Sequence, residues 1–253
     1  MKNEKDLALL ILKAKDIKLK ALSVQGAIGS KIDERLEPSN RKSINSKKQS
    51  KGKIKILNLY AGVGGNRLLW GDKYEVTAVE YNQDIAKVYQ DLFPNDKVIV
   101  GDAHEYLIKN YHLFDIIWSS PPCQSHSQIR YNIGFKANRK YKKVDALYPD
   151  MNLYQEITLL DKYFTGLWVV ENTIPYYTPL IEGTKTGGHI WWANFEIKPI
   201  NHGNRNHRNG TVESLQERKM IDLSKYSIIN KRQILRNYVE PEIGLHILKC
   251  AVK

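Results

Sequence analysis

The chain is predicted to fold as an α/β domain, a mostly parallel sheet with helices on both faces, and three observations carry that reading. Short apolar, β-branched runs recur after residue 53, a glycine-rich turn follows the first of them, and acidic residues close the second and third. Open α/β sheets bind ligands beyond the carboxyl ends of their strands, so these turn and acid positions are candidate ligand contacts.

Taken in order, the first element is a helix. From Glu4 to about Leu22 the residues Leu7, Leu10, Ile11, Ala14 and Ile17 recur at helical spacing. Such an amphipathic helix must lie against something, as a lid, as a contact with a second copy or partner chain, or as an arm on nucleic acid. Ser39 to Lys53 follows, polar and basic without periodicity, and reads as a linker that cannot bury a core.

Ile54 to Tyr60 is the first predicted strand, and Ala61-Gly62-Val63-Gly64-Gly65 the tight turn whose glycines let backbone amides approach a ligand. A helix is expected from about Asn66 to Trp70. Glu75 to Val79 is the second strand; it ends in Glu80, placed to hold ribose hydroxyls, with Tyr81 beside it as a ring for adenine to stack on. Val98 to Asp102 is the third, and Asp102 is placed to accept from an exocyclic amine. Three successive strand ends thus converge on a nucleoside.

Leu113 to Trp118 reads as a buried strand, ended by Pro121 and Pro122 because proline cannot donate to a sheet ladder. Cys123 is then offered just past a strand's carboxyl end, where a nucleophile belongs.

The balance of charge points to a polyanionic partner. The 253 residues carry a formal net charge of +12, so affinity for nucleic acid is expected. Cys123 and Cys250, far apart and without a partner motif, argue against a disulfide framework or structural zinc site. His189, His202 and His207 match no ligand spacing, and no metal is expected. The apolar run Leu7 to Leu12 is too short to span a bilayer and no cleavage site follows it, so a soluble cytoplasmic protein without a membrane partner is expected.

Three segments, in this order, resemble the cytosine-5 DNA methyltransferase family. They are Asn58-Leu59-Tyr60-Ala61-Gly62-Val63-Gly64-Gly65, then Pro121-Pro122-Cys123-Gln124-Ser125-His126-Ser127, then Glu171-Asn172-Thr173 after the strand Leu167 to Val170. The likeness runs from Ile54 to about Val252, and Arg232 to Pro241 looks like the family's closing segment with Asn237 at its asparagine. The resemblance implies a Rossmann-like, S-adenosylmethionine-dependent methyltransferase domain with an N-terminal helical extension, acting on a cytosine flipped out of double-stranded DNA.

By resemblance Cys123, Glu171 and Asn172 are catalytic. A thiolate from Cys123 adds to cytosine carbon 6, with its pKa lowered by nearby positive charge or amide dipoles. Glu171 stabilises charge displaced into the ring, and Asn172 orients that carboxyl or holds the base. The implied contacts to S-adenosylmethionine are Tyr60, Ala61, Gly62, Gly64, Gly65, Glu80, Tyr81, Asp102, Ala103, Pro121 and Asn237. Contacts to nucleic acid are expected from Gln124, Ser125, Ser127, Arg130, Arg139, Lys140, His189, Arg205 and Arg208. The long basic and aromatic stretch from Ser125 to about Val144 suits a loop that closes over the flipped base.

Two departures stand out. No arginine precedes the strand beginning at Ile190, where the family carries Gln-x-Arg-x-Arg; His189 or Lys185 is the substitute. The target-reading region shrinks to 199–216, between a catalytic and cofactor-binding domain at 54–198 and a returning segment at 217–253, with 1–53 as the extension and linker. Two alternatives stay open on sequence: a cytosine-5 methyltransferase acting on transfer RNA, and a non-catalytic nucleic-acid-binding relative.

Overall fold

The structure, a computed structural model, describes residues 52–128, 148–200 and 210–253. The expected N-terminal helix and the linker up to residue 51 lie outside the described residues, as do Arg130, Arg139, Lys140, Arg205 and Arg208. A sheet of seven strands forms the centre, in the order β3-β2-β1-β4-β5-β7-β6. Its strands are β1 (Ile54–Leu59), β2 (Tyr74–Glu80), β3 (Lys97–Val100), β4 (Ile116–Ser119), β5 (Leu167–Thr173), β6 (Thr184–Thr186) and β7 (His189–Ala193). The first five pair in parallel, whereas β7 runs antiparallel to both β5 and β6. This is the mostly parallel, Rossmann-like arrangement that the order of elements predicts.

Both faces of the central strands are buried, as a parallel sheet requires. Leu57, Leu59, Ile117 and Val170 point to one face, where they meet Leu107 of α2 (Ala103–Asn110) and Leu153, Ile157 and Leu160 of α3 (Asn152–Tyr163). Their alternates Ile56, Trp118 and Val169 point to the other face and pack on Ile243, Ile247 and Leu248 of α6 (Pro241–Ala251). On that same face Ala78 of β2 meets Tyr89 of α1 (Gln83–Leu92). The short helices α4 (Val212–Arg218) and α5 (Lys231–Asn237) close a smaller cluster through Leu215 and Leu235.

The helix expected from Asn66 to Trp70 is instead a chain of tight turns. Arg67 N donates to Gly64 O at 3.1 Å and Trp70 N to Arg67 O at 3.0 Å, a three-residue spacing. Side chains explain it. Asn66 is drawn inward, its Nδ2 donating to Asn58 Oδ1 at 2.8 Å. The Arg67 guanidinium donates to both oxygens of Asp96, at 2.8 and 3.0 Å, while Tyr89 OH donates to the same carboxylate at 2.9 Å. Helix α6 lies hard against this turn, since a Cβ on Gly244 would stand 2.2 Å from Asn66 O.

The last parallel strand also runs further than its apolar core. Antiparallel pairing with β7 continues through Glu171↔Trp191, Asn172↔Ile190 and Thr173↔His189, so Glu171 and Asn172 sit inside β5 rather than after it. Among the described residues no helix is long and apolar enough to cross a membrane.

Candidate active site

A cavity of about 520 Å³ opens at the carboxyl ends of the parallel strands. One half of it is built by the turn after β1. Tyr60 and Gly62 both take left-handed backbone angles, φ 55° and 54°, and a Cβ added to Gly62 would meet nothing within 4 Å, leaving room for a ligand. Glu80, at the end of β2, holds this turn: its Oε2 accepts from Gly62 N at 3.0 Å and its Oε1 from Asn82 N at 2.9 Å. Tyr81 beside it is 79 % exposed and offers its ring to the cavity. Asp102 caps α2, accepting from Glu105 N at 2.8 Å, and it lines the same space with Ala103. Asn237 arrives from the far end of the chain. Gly65 makes that approach possible, because a Cβ there would lie 2.4 Å from Val239 O and 2.9 Å from the Tyr238 ring.

The other half holds Cys123, the expected nucleophile. Cys123 follows β4 in a turn whose carbonyl accepts from the amides of His126 at 3.1 Å and Ser127 at 3.0 Å. The turn is pinned to the segment after β5 by a bridge between Ser127 and Pro175 and by Tyr176 N donating to His126 O at 3.1 Å. His126 Nδ1 also lies 2.5 Å from Tyr177 OH. Burial pushes the Cys123 thiol up to about 11, and the Glu171 carboxylate adds to the rise. The expectation of a lowered thiol is therefore corrected: burial and a like charge set it here.

Glu171 lines the cavity together with His189. Their meeting follows from register. His189 pairs with Thr173, two residues from Glu171 on the same face of the sheet, so the two are diagonal neighbours across the β5–β7 ladder. Nε2 of His189 lies 3.6 Å from Oε1 of Glu171, and Nδ1 lies 3.1 Å from Gly187 O. Gly187 and Gly188, at φ 62° and 81°, form the two-residue hairpin turn that sets this register.

Asn172 points to the opposite face, as the next residue of a strand must. Its Nδ2 donates to Pro121 O at 3.0 Å and its Oδ1 accepts from Thr173 N at 2.9 Å, which ties it to the Pro-Pro-Cys loop, and it does not line the cavity. Gly64 does not line the cavity, and a Cβ there would strike Phe93 at 2.2 Å. Ser125 Oγ accepts from Asp150 N at 2.9 Å, and neither Ser125 nor Ser127 lines the cavity. Pro121, Cys123, Gln124, Glu171 and His189 do line it, with Tyr60, Ala61, Gly62, Gly65, Glu80, Tyr81, Asp102, Ala103 and Asn237. Sequence reasoning missed Arg236 and Ser120 in this lining. Each is next to a residue it did name or quote, and adjacency was the available signal.

Comparison with known proteins bears on the same stretch. The family model described as C-5 cytosine-specific DNA methylase matches residues 54–153. Over these residues the chain is similar to the C-5 cytosine-specific DNA methylase family. The methylase match covers the glycine turn, Glu80, Asp102 and Cys123, while Glu171, His189 and Asn237 lie beyond it. The type II methyltransferase M.Bsp6I of Bacillus sp. (strain RFL6) is 36% identical over 86 residues, which are 33% of this chain and 27% of that protein. The chain thus spans about a quarter of the length of that curated relative.

Solved structures similar to this chain include a mutant of Spodoptera frugiperda DNMT2, at 27% identity and TM-score 0.32 over 48% of this chain and 36% of that one. Another is a putative DNA modification methyltransferase encoded within an E. coli prophage, at 21% identity and TM-score 0.32 over 50% and 34% of the two chains.

Proposed function

We propose that this chain transfers a methyl group from S-adenosylmethionine to carbon 5 of a flipped-out cytosine in double-stranded DNA, through a transient covalent bond to Cys123. The observation that carries the reading is a single cavity. It joins a nucleoside cradle, made by Gly62 and Glu80, to a thiol and a carboxyl, those of Cys123 and Glu171.

The cradle suits S-adenosylmethionine. Glu80 offers carboxylate oxygens to ribose hydroxyls, Tyr81 a ring for the adenine, and Asp102 an acceptor for its exocyclic amine. Asn237 stands where the amino acid portion would reach. The group supplies an electrophilic methyl on a sulfonium.

Cys123 would pass its proton to the Glu171 carboxylate and form a bond from sulfur to carbon 6, making carbon 5 nucleophilic enough to take the methyl from the sulfonium. Charge displaced to ring N3 would be met by a protonated Glu171, and protonation of Glu171 also removes the like charge that raises the thiol. His189 faces that carboxyl from the position where the family carries its arginine segment. Loss of the carbon 5 proton to a base then breaks the sulfur–carbon bond and returns the thiolate.

The target-reading role is assigned to 199–216, of which residues 212–216 open α4. Catalysis is assigned to 54–198, and the returning segment 217–253 carries Asn237. Incubation with DNA containing 5-fluorocytosine and S-adenosylmethionine tests the mechanism. A complex stable to denaturation is expected from the native chain and none from Cys123→Ser; trapping by the serine variant overturns it.

A further inference from the structure

Glu156 is a charged side chain with no place in the mechanism above, and it is fully buried. Its Oε1 accepts from Tyr60 OH at 2.6 Å and its Oε2 from Ser119 Oγ at 2.6 Å. His104 Nδ1 lies 3.1 Å from Oε1. Four elements meet at this carboxylate: the end of β1, the first turn of α2, the end of β4, and α3. We infer that Glu156 is a positioning residue that joins the cofactor turn to the nucleophile loop, and that His104 supplies the counter-charge on which the joint depends. The inference rests on assigning the cavity to S-adenosylmethionine.

Both tied residues stand at decisive points of the chain. Tyr60 takes φ 55°, a conformation that side chains with a Cβ resist, and it opens the turn that carries Gly62. Anchoring its phenol holds that backbone in place. Ser119 is the last residue of β4, and Ser120-Pro121-Pro122-Cys123 follows directly. One carboxylate therefore sets the distance between the floor of the cofactor site and the start of the nucleophile loop.

A buried carboxylate needs a compensating charge. Tyr60 and Ser119 are neutral donors; burial and the Glu156 carboxylate hold the Tyr60 phenol well above its usual range. His104, partly exposed, is the cation in contact. Its hydrogen bond to Glu156 raises the imidazole against the opposing effect of burial, and Asp102 at the head of its own helix and Asp150 ahead of α3 add to the rise. Protonation of His104 is thus favoured while Glu156 is ionised. As pH climbs through the raised imidazole pKa the counter-charge is lost, and the Tyr60 and Ser119 anchors loosen.

The test uses the full chain and S-adenosylhomocysteine as the probe, with binding followed by titration calorimetry from about pH 6 to 9. Cys123 alkylation by iodoacetamide, scored by peptide mass spectrometry, is the second readout. Native binding is expected to weaken several-fold across this range. His104→Gln should bind weakly and without that pH dependence, which separates its contribution from that of His189 in the cavity.

Glu156→Gln should weaken binding by about tenfold and also change the Cys123 alkylation rate. If that variant does not fold, the single-oxygen variants Tyr60→Phe and Ser119→Ala decide. The first should move binding more than alkylation, and the second alkylation more than binding. Native binding with a pH profile that His104→Gln leaves unchanged, or variants that shift only the melting temperature, overturns the inference. A folded native chain that does not bind S-adenosylhomocysteine overturns the assignment of the cavity, and the inference with it.

Discussion

Nε2 of His189 lies 3.6 Å from Oε1 of Glu171, and both side chains line the cavity that receives Cys123. Strand register puts them there, since the Gly187-Gly188 turn fixes His189 opposite Thr173. The His189 imidazole reaches Glu171 from a direction that Cys123 does not.

His189→Leu is therefore expected to lower kcat for DNA methylation by about tenfold or more, a fraction of what a proton donor contributes. His189→Arg should retain most of the rate because it keeps an N–H donor facing the Glu171 carboxyl. Steady-state kinetics on both variants checks this, with KM for S-adenosylmethionine unchanged in each. A leucine variant with native kcat removes His189 from the chemistry.

The Cys123 thiol, pushed up to about 11 by burial and by Glu171, should be slow to alkylate at neutral pH. Because the thiolate is the reactive form, the iodoacetamide rate at the Cys123 peptide should rise about tenfold per pH unit from 7 to 10 without levelling. Glu171→Gln removes the like charge and should speed alkylation at pH 8 several-fold. A plateau near the ordinary thiol range would contradict this electrostatic account.

Arg67 and Asp96 form a buried ion pair, with Arg67 Nε and Asp96 Oδ2 2.8 Å apart and each side chain under 5 % exposed. Asp96→Ala leaves the buried guanidinium with the exposed Asp72, at 3.8 Å, as its remaining carboxylate among the described residues. A loss of about 3–5 kcal/mol in urea unfolding is expected.

Gly65→Ala should destabilise by about 1–3 kcal/mol, because its methyl would press on Val239 O and the Tyr238 ring. Gly62→Ala costs less, about 1–2 kcal/mol of backbone strain at φ 54°, since the space beside it is open. The two should part in binding: Gly62→Ala puts a methyl in the cavity and should weaken S-adenosylhomocysteine more than its small shift in melting temperature suggests. Thermal melts and calorimetry on both variants check the contrast.

Residues that act through local patterning were legible in the sequence. Apolar runs marked β1 to β5 within a few residues, and the positions just past their ends named Gly62, Glu80, Asp102 and Cys123 before any geometry was known. What depends on register or distant partners was not. The inward pull of Asn58 on Asn66 and of Asp96 on Arg67 turned an expected helix into tight turns, and neither partner is close in sequence. Pairing with β7 extended β5 and sent Asn172 to the face opposite Glu171, which Glu-Asn as a dipeptide does not disclose. Glu156 carries no local sequence signal of its burial, since Tyr60, His104 and Ser119, which close around it, lie from 37 to 96 positions away.

The most direct measurement is the identity of the methylated nucleoside. The purified chain would be incubated with labelled S-adenosylmethionine and, separately, unmethylated genomic DNA and unmodified transfer RNA, and each digest resolved by mass spectrometry. The account predicts label in 5-methyl-2′-deoxycytidine from DNA, lost in Cys123→Ser. Label confined to RNA, label on adenine, or no transfer by a chain that binds both DNA and S-adenosylhomocysteine would contradict it.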